Sequence, residues 1–511
     1  MARRPLIAVG LVVSVLFGAT VTWLKAVPRA ARGVGDPVVE DPEDDEEAGD
    51  DEPDRARPVG KRKARGKARR PRGKADGAVA PPIAPSAPAS DRPDAPEEAP
   101  NVVLVFGCTV RRDQIGVYGG VDGVTPWLDG LAAEGVRMDD ALSVSSWTRA
   151  SAVGVITGRH PLSFNLPDPG PKQSERVLSG RATTLAERLS GAGWMAYGVT
   201  ANPNLNANYG MAQGMDLYQD SDDQAFKKGR MSGLDVVRRS LEMLDARAEE
   251  DLDRPFYLRL MMIDAHHPRT PDPALVRKFT APMVSPTMAE YRASLHELDQ
   301  ALARLDAELR ERGYDETNTV FVFVSDHGEG LNEPPHHGPG HGKQMFPSTV
   351  AIPWILRGPG IPANVVVGGM SSGVDVKPTL LGLLGLPGES GLAGRDLAPW
   401  IRGHRQGNTP RQRGHSLSMF HVANVAAIWT PDRQCQRWYP GDRDETVSGC
   451  FDRHADPTFA TPLPDDSGLL EELDAWRNRQ LEIGKSYPAE VALVGDDQKS
   501  QLEVLGYVSD D

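Results

Sequence analysis

From about residue 99 the sequence predicts an α/β fold: a large, mainly parallel sheet sandwiched by helices, with a small C-terminal antiparallel subdomain. Two observations carry the larger part. Apolar runs of strand length, such as "NVVLVFG" and "TVFVFVS", read as buried strands. They alternate with segments of helical spacing, as βαβ units do. A third observation carries the smaller part. After about residue 405 a turn-rich stretch with two cysteines precedes a final helical segment, "LLEELDAWRNRQLEIG", expected to pack against the main domain.

Ahead of the fold the composition changes twice. The 511-residue chain is 39% hydrophobic with 52 Gly and 43 Pro, low in apolar content for one compact globule. Part of it is therefore unpacked. "MARRPLIAVGLVVSVLFGATVTWLK" opens on arginines and continues for about 20 mostly apolar residues, roughly what a helix needs to cross a bilayer. Arg3 and Arg4 stay on the cytoplasmic side, which places the rest outside. Residues 1–35 are thus expected as a signal-anchor, with the folded domain extracytoplasmic and tethered to the membrane. A cleavable signal peptide is the rival reading; its apolar region is usually shorter, and no clean A-x-A site follows. Residues 36–98 pass from acidic "DPVVEDPEDDEEAGDDEPD" through basic "RARPVGKRKARGKARRPRGK" to a Pro/Ala spacer. They bury too little apolar surface to offset chain entropy and are expected as a disordered linker. The net charge of -14 argues against a nucleic-acid binder, since phosphate backbones reward positive charge.

The main domain is expected over residues 99–405 and the subdomain over 406–511. "NVVLVFG" is the first strand. "TPWLDGLAAEG" reads as a helix capped by Thr125, with Pro126 at the first helical position and Gly135 closing it. "TTLAERLSGAG" is a short capped helix, and "WMAYGVT" a strand after it. "PFYLRLMMI" is a further buried strand. Leu295, Leu298, Leu302, Leu305 and Leu309 recur at helical spacing before Gly313. "TVFVFVS" and "IPWILRGPG" are strands again.

In such sheets ligands bind beyond the carboxyl ends of the strands. Cys108 follows the first strand, and Asn202 follows "WMAYGVT". Asp264, His266 and His267 follow "PFYLRLMMI"; Asp326 and His327 follow "TVFVFVS". A little later come His336, His337, His341 and Lys343. The chain has 12 histidines, and their repeated placement at strand ends argues against scattered surface residues. Imidazole with carboxylate is a normal ligand set for Zn, Mn or a similar divalent ion. Thr148, in "SSWTRASAVGVITG", stands at the start of a helix running to about Thr157. A helix N-terminus favours an anion, and a hydroxyl there can cap the helix or act as a nucleophile.

Together these segments resemble the sulfatases, a branch of the alkaline phosphatase superfamily. The family's Asp-Thr-Leu-Arg-x-Asp opening is "CTVRRDQIGVYGG" here, and "TPWLDGLAAEGV" matches its next element. "WTRASAVGVITG" matches the nucleophile helix, "DAH" the Asp-Pro-His, and "SDHGEGLNE" the Ser-Asp-His-Gly-Glu strand end. "GHG", "IPWILRGPG", "VDVKPTLLGLLGL" and "LEVLGYV" also match. The resemblance covers roughly residues 99–400 and the last few. It implies a hydrolase, or group transferase, of sulfate or phosphate/phosphonate esters. Its substrate would be a small-molecule, glycan or lipid ester. It implies a divalent metal (Zn, Mn, Ca or Mg; one or two ions) held by Cys108, Asp326 and His327. Thr148 falls on the nucleophile, and His266 and His341 where the family contacts the anionic group or a second metal. Asn202, Asp264 and Lys343 are expected on the substrate side.

Several positions depart from the family pattern. Cys108 replaces a metal aspartate. Ala150 replaces a Pro, Ala152 an Arg or His, and Met261 a His. Pro347 and Ser348 replace an acidic pair, and Ala351 an Arg. Three readings follow. Cys108 is a thiolate ligand in an active centre, as zinc tolerates. Alternatively the site is degenerate, and the domain is a membrane-tethered binding module. The third, a formylglycine enzyme, needs Cys or Ser at the nucleophile position with Arg four residues on; Thr148 offers neither, so no formylglycine is expected. Cys435 and Cys450 flank a turn-rich loop, and an exported chain can keep a disulfide between them.

Overall fold

The computed structural model describes residues 92–166, 176–221, 230–333, 339–343, 345–420, 423–439, 447–487, 490–492 and 494–505. The anchor expected over residues 1–35, the linker as far as residue 91, His336 and His337 lie outside them. Among the described residues, no helix is long and apolar enough to cross a membrane. The end of the expected linker is not loose. Arg92 is buried, donates to Trp194 O at 3.2 Å and pairs with Asp216. A guanidinium that finds a carboxylate and a carbonyl can stay out of water.

The main sheet contains β1 (Asn101–Gly107), β2 (Val136–Leu142), β3 (Met195–Thr200), β4 (Leu217–Gln219), β5 (Phe256–Met262) and β6 (Thr319–Ser325). A two-stranded ribbon, β7 (Gly330–Leu331) and β8 (Pro339–Gly340), stands apart from it. β9 (Ala351–Ile352), β10 (Trp354–Arg357) and β11 (Val365–Ser372) complete the sheet in the order β11-β2-β10-β6-β1-β5-β3-β4, with β9 on β2. The pairs β6-β1-β5-β3 are parallel. β10, the strand of "IPWILRGPG", runs antiparallel to both neighbours. It follows β6 through a ribbon and a short helix rather than a full crossover, so it returns in the opposite sense.

β1, β5 and β6 are buried along their whole length, because helices cover the sheet. The helix Pro286–Glu311 presents Leu295, Leu298, Leu302, Leu305 and Leu309 to the core. The helix Pro126–Glu134 begins as expected, but Thr125 does not cap it. The Thr125 hydroxyl accepts from Gly116 N instead. Asp299 replaces it, accepting Trp127 N and Leu128 N at 2.9 Å each.

The subdomain is a four-stranded antiparallel sheet, β12 (Gly414–Phe420), β13 (Ala423–Trp429), β14 (Arg433–Trp438) and β15 (Val447–Asp452). Strand alternation splits its side chains. Ala426, Ile428, Cys435 and Cys450 pack under the helix Ser467–Gly484, with Leu470, Leu473 and Trp476. Val425, Ala427 and Trp429 pack toward Leu142 and Phe346 of the main domain. Cys435 and Cys450 are register partners on β14 and β15 and are joined by a disulfide. The helix expected last is followed by another, Asp496–Val504.

Candidate active site

The carboxyl ends of β6, β1, β5 and β3 lie side by side, so the segments after them meet. Hydrogen bonds join the loops directly. Thr109 N donates to Asp326 Oδ1 at 2.9 Å, and Val110 N to Ser325 Oγ at 3.0 Å. Thr109 holds φ at +58°, a costly region for a β-branched residue. That turn aims its N–H at Asp326.

Opposite these loops stands the helix Thr148–Thr157, buried throughout. Trp147 occupies the capping position, and Thr148 is the first helical residue, so its hydroxyl does not cap the helix. It lies 3.1 Å from His327 Nε2 and 3.8 Å from Cys108 Sγ. One turn on, the Ser151 hydroxyl donates to Asp326 O, as does Ser143. The helix is thereby locked to the end of β6.

The tautomer of His327 follows from its other nitrogen. Nδ1 lies 2.8 Å from Gly328 O, and a carbonyl only accepts, so Nδ1 carries the proton. Burial lowers the pKa of His327 and favours the neutral ring. Nε2 is then an acceptor, and the Thr148 hydroxyl donates to it. Asp326 Oδ2 faces the same Nε2 at 3.4 Å and makes no hydrogen bond. Two acceptors in a dry site call for a cation between them. Asp326 Oδ2, a buried acceptor without a donor, and His327 Nε2 beside it fit a divalent metal. Cys108 Sγ accepts from Asn202 Nδ2 at 3.4 Å, and burial, then the charge of Asp326, pushes the thiol well up. Cys108 therefore joins a donor set only as a thiolate beside a cation. Among the described residues no group of three or more His, Cys, Asp or Glu stands at metal-binding spacing.

The remaining candidates divide. His341 packs its ring 4.4 Å from that of His327 and 5.1 Å from that of His266. Asn202 belongs to the centre through Cys108. Asp264 Oδ1 accepts Gly233 N at 2.9 Å, at the start of the helix Gly233–Asp245, while Oδ2 is buried with no hydrogen-bond partner. A carboxylate at a helix N-terminus satisfies its donors. Lys343 is exposed, two residues beyond His341. A further buried acid stands beside His341, one that the strand-end reading did not single out. Glu329 Oε1 meets His341 Nδ1 at 3.1 Å, while Oε2 accepts from Arg269 Nη2 at 2.9 Å. Both side chains are buried. The signal was present, since Glu329 is the acid of "SDHGEG".

A family model described as Sulfatase matches residues 100–386. The chain belongs to the sulfatase family. It is similar to an ulvan-active sulfatase of Formosa agariphila, at 25% identity over 76% of this chain and 82% of that one. Two solved structures share the fold of this family member. One is a protein in complex with its substrate D-glucosamine-2-N,6-O-disulfate, with a TM-score of 0.59 and 18% identity over 76% of this chain and 99% of that one. The other is the phosphonate monoester hydrolase of Agrobacterium radiobacter, with a TM-score of 0.59 and 17% identity over 76% and 96%.

Proposed function

We propose that the chain hydrolyses sulfate esters of a glycan outside the cytoplasm, with Thr148 as the nucleophile. The observation that carries this is the Thr148 hydroxyl, 3.1 Å from a His327 nitrogen whose partner nitrogen is pinned to Gly328 O. A hydroxyl held beside a metal ligand is placed to become a nucleophile. Thr148 Oγ1 attacks the sulfur, and its proton passes to the departing sugar oxygen. The bond from sulfur to the sugar oxygen breaks, and the alcohol leaves with a proton. Water then attacks the sulfated Thr148, releasing sulfate and restoring the hydroxyl. A divalent ion held by Asp326 and His327, with Cys108 as thiolate, would supply positive charge for the developing anion. His341, oriented by Glu329, and His266 line the side where the sulfuryl group sits. Burial lowers His266 well below the usual imidazole range, so it is neutral and can donate or accept without bringing charge.

Glycan is favoured over aryl or lipid esters because the similar proteins named above include one active on ulvan and one solved with a sulfated glucosamine. The extracytoplasmic location is supported by the Cys435–Cys450 disulfide and by the basic and apolar N-terminal sequence. The test is sulfate release from a panel of sulfated saccharides, with phosphate and phosphonate monoesters alongside. Thr148→Ala should lose at least about 10³-fold in turnover with the fold intact. Equal turnover by Thr148→Ala, or none by the parent, would defeat the proposal; the latter would favour binding without hydrolysis.

A further inference from the structure

The turn that follows β1 is held from two sides. Toward β6, Ser325 Oγ accepts from Val110 N at 3.0 Å. On the other side stands Tyr291, which belongs to no strand-end loop. It projects from the second turn of the helix Pro286–Glu311 and is 0% exposed. Its hydroxyl donates to Thr109 O at 2.8 Å and accepts from Arg111 N at 2.9 Å. An acceptor and a donor two residues apart need a partner that can meet both from one atom, and a hydroxyl can. Burial pushes the phenol up, so the hydroxyl keeps its proton for Thr109 O.

The turn needs such a hold. Thr109 sits at φ +58°, and a strained backbone persists only where its surroundings over-determine it. What the strained turn delivers is the aim of the Asp326 carboxylate. Oδ1 is occupied by Thr109 N at 2.9 Å and by His327 N at 2.7 Å, which leaves Oδ2 turned toward His327 Nε2. Cys108 opens the same turn, so the same backbone aims its thiol. The Tyr291 ring lies 5.0 Å from the Arg269 guanidinium, which pairs with Glu329. Removing the hydroxyl alone therefore leaves the ring under Arg269.

We propose that Tyr291 is a positioning residue of the centre: its hydroxyl holds the turn from Cys108 to Arg111 so that the Cys108 thiol and Asp326 Oδ2 face one cation. The cation is that of the reading above, on which this rests. Tyr291→Phe is compared, in the full-length chain, with Leu305→Ala, about 21 Å further along the same helix. Leu305→Ala empties core volume and should lower the melting temperature at least as far. With metal stripped by EDTA, a small thiosulfonate reagent should label Cys108 at least about tenfold faster in Tyr291→Phe than in Leu305→Ala, because the turn opens locally. The dissociation constant of whichever of Zn, Mn, Mg and Ca the parent binds is read by chelator competition. It should rise at least about tenfold in Tyr291→Phe and stay within about twofold of the parent in Leu305→Ala. In the parent, the Arg111 amide should exchange with deuterium as slowly as the strands beside it, which needs no variant to fold. A fast Arg111 amide, labelling no faster than in Leu305→Ala, or unchanged metal affinity in Tyr291→Phe overturns the role. A parent that binds none of the four metals, while Tyr291→Phe still opens Cys108, keeps the hold on the turn and sinks the metal centre.

Discussion

Trp147, not Thr148, precedes the first helical turn, and this one-residue offset frees the hydroxyl for His327. The sequence places Thr148 at a helix start but cannot separate the capping position from the next. The same limit applies to Asp264. Its place after β5 was legible, but the direction of its side chain depends on where the helix Gly233–Asp245 begins. Cys108, Asp326 and His327 were legible because each directly follows a strand whose apolar run is unmistakable. Cys108 is buried, so it should resist modification. A thiol reagent at mildly alkaline pH should find no reactive cysteine in the folded, oxidised protein and one after denaturation. Rapid labelling of Cys108 in the folded state would show that the strand end is open to solvent.

Between elements, the buried Arg269–Glu329 pair ties the segment after β5 to the segment after β6 and holds His341. Arg269 does not stand out in sequence, because its role is to orient another side chain rather than to meet a ligand. Removing one partner leaves the other charge buried and alone. Glu329→Ala should destabilise by about 3–5 kcal/mol in urea unfolding. Glu329→Gln should lower turnover more than substrate affinity, since the His341 ring loses its orientation while the walls remain. A Glu329→Ala protein as stable as the parent would show that water reaches the pair. The antiparallel sense of β10 was likewise illegible, because its apolar run is the same whichever way it points.

Across the molecule, the main domain and subdomain meet at buried histidines. His160 packs edge-on against Trp476, and His415 stacks on the same ring at 4.4 Å. Burial, then Arg411, lowers His160 to about 3; burial, then His160, lowers His415 well below the imidazole range. A histidine depressed in this way supports the fold fully above about pH 6.5 and loses that support as the pH falls, because the unfolded chain takes the proton first. At pH 5 His160 should cost about 2 kcal/mol, and His415 acts in the same direction. The melting temperature should therefore drop between pH 7.5 and 5, and a His160→Phe, His415→Phe double variant should flatten the fall. An unchanged slope would place the acid sensitivity elsewhere. The α/β class was readable because strand and helix periods differ; the contact between the two parts was not, because it depends on how two surfaces meet.

Asp326 and His327 face each other as two acceptors that would hold a cation between them. Metal content of the purified full-length chain, by elemental mass spectrometry, tests it most directly. About one divalent ion per chain, lost in Asp326→Ala, is the predicted result. No bound metal after loading with Zn, Mn, Mg and Ca in turn would contradict the account.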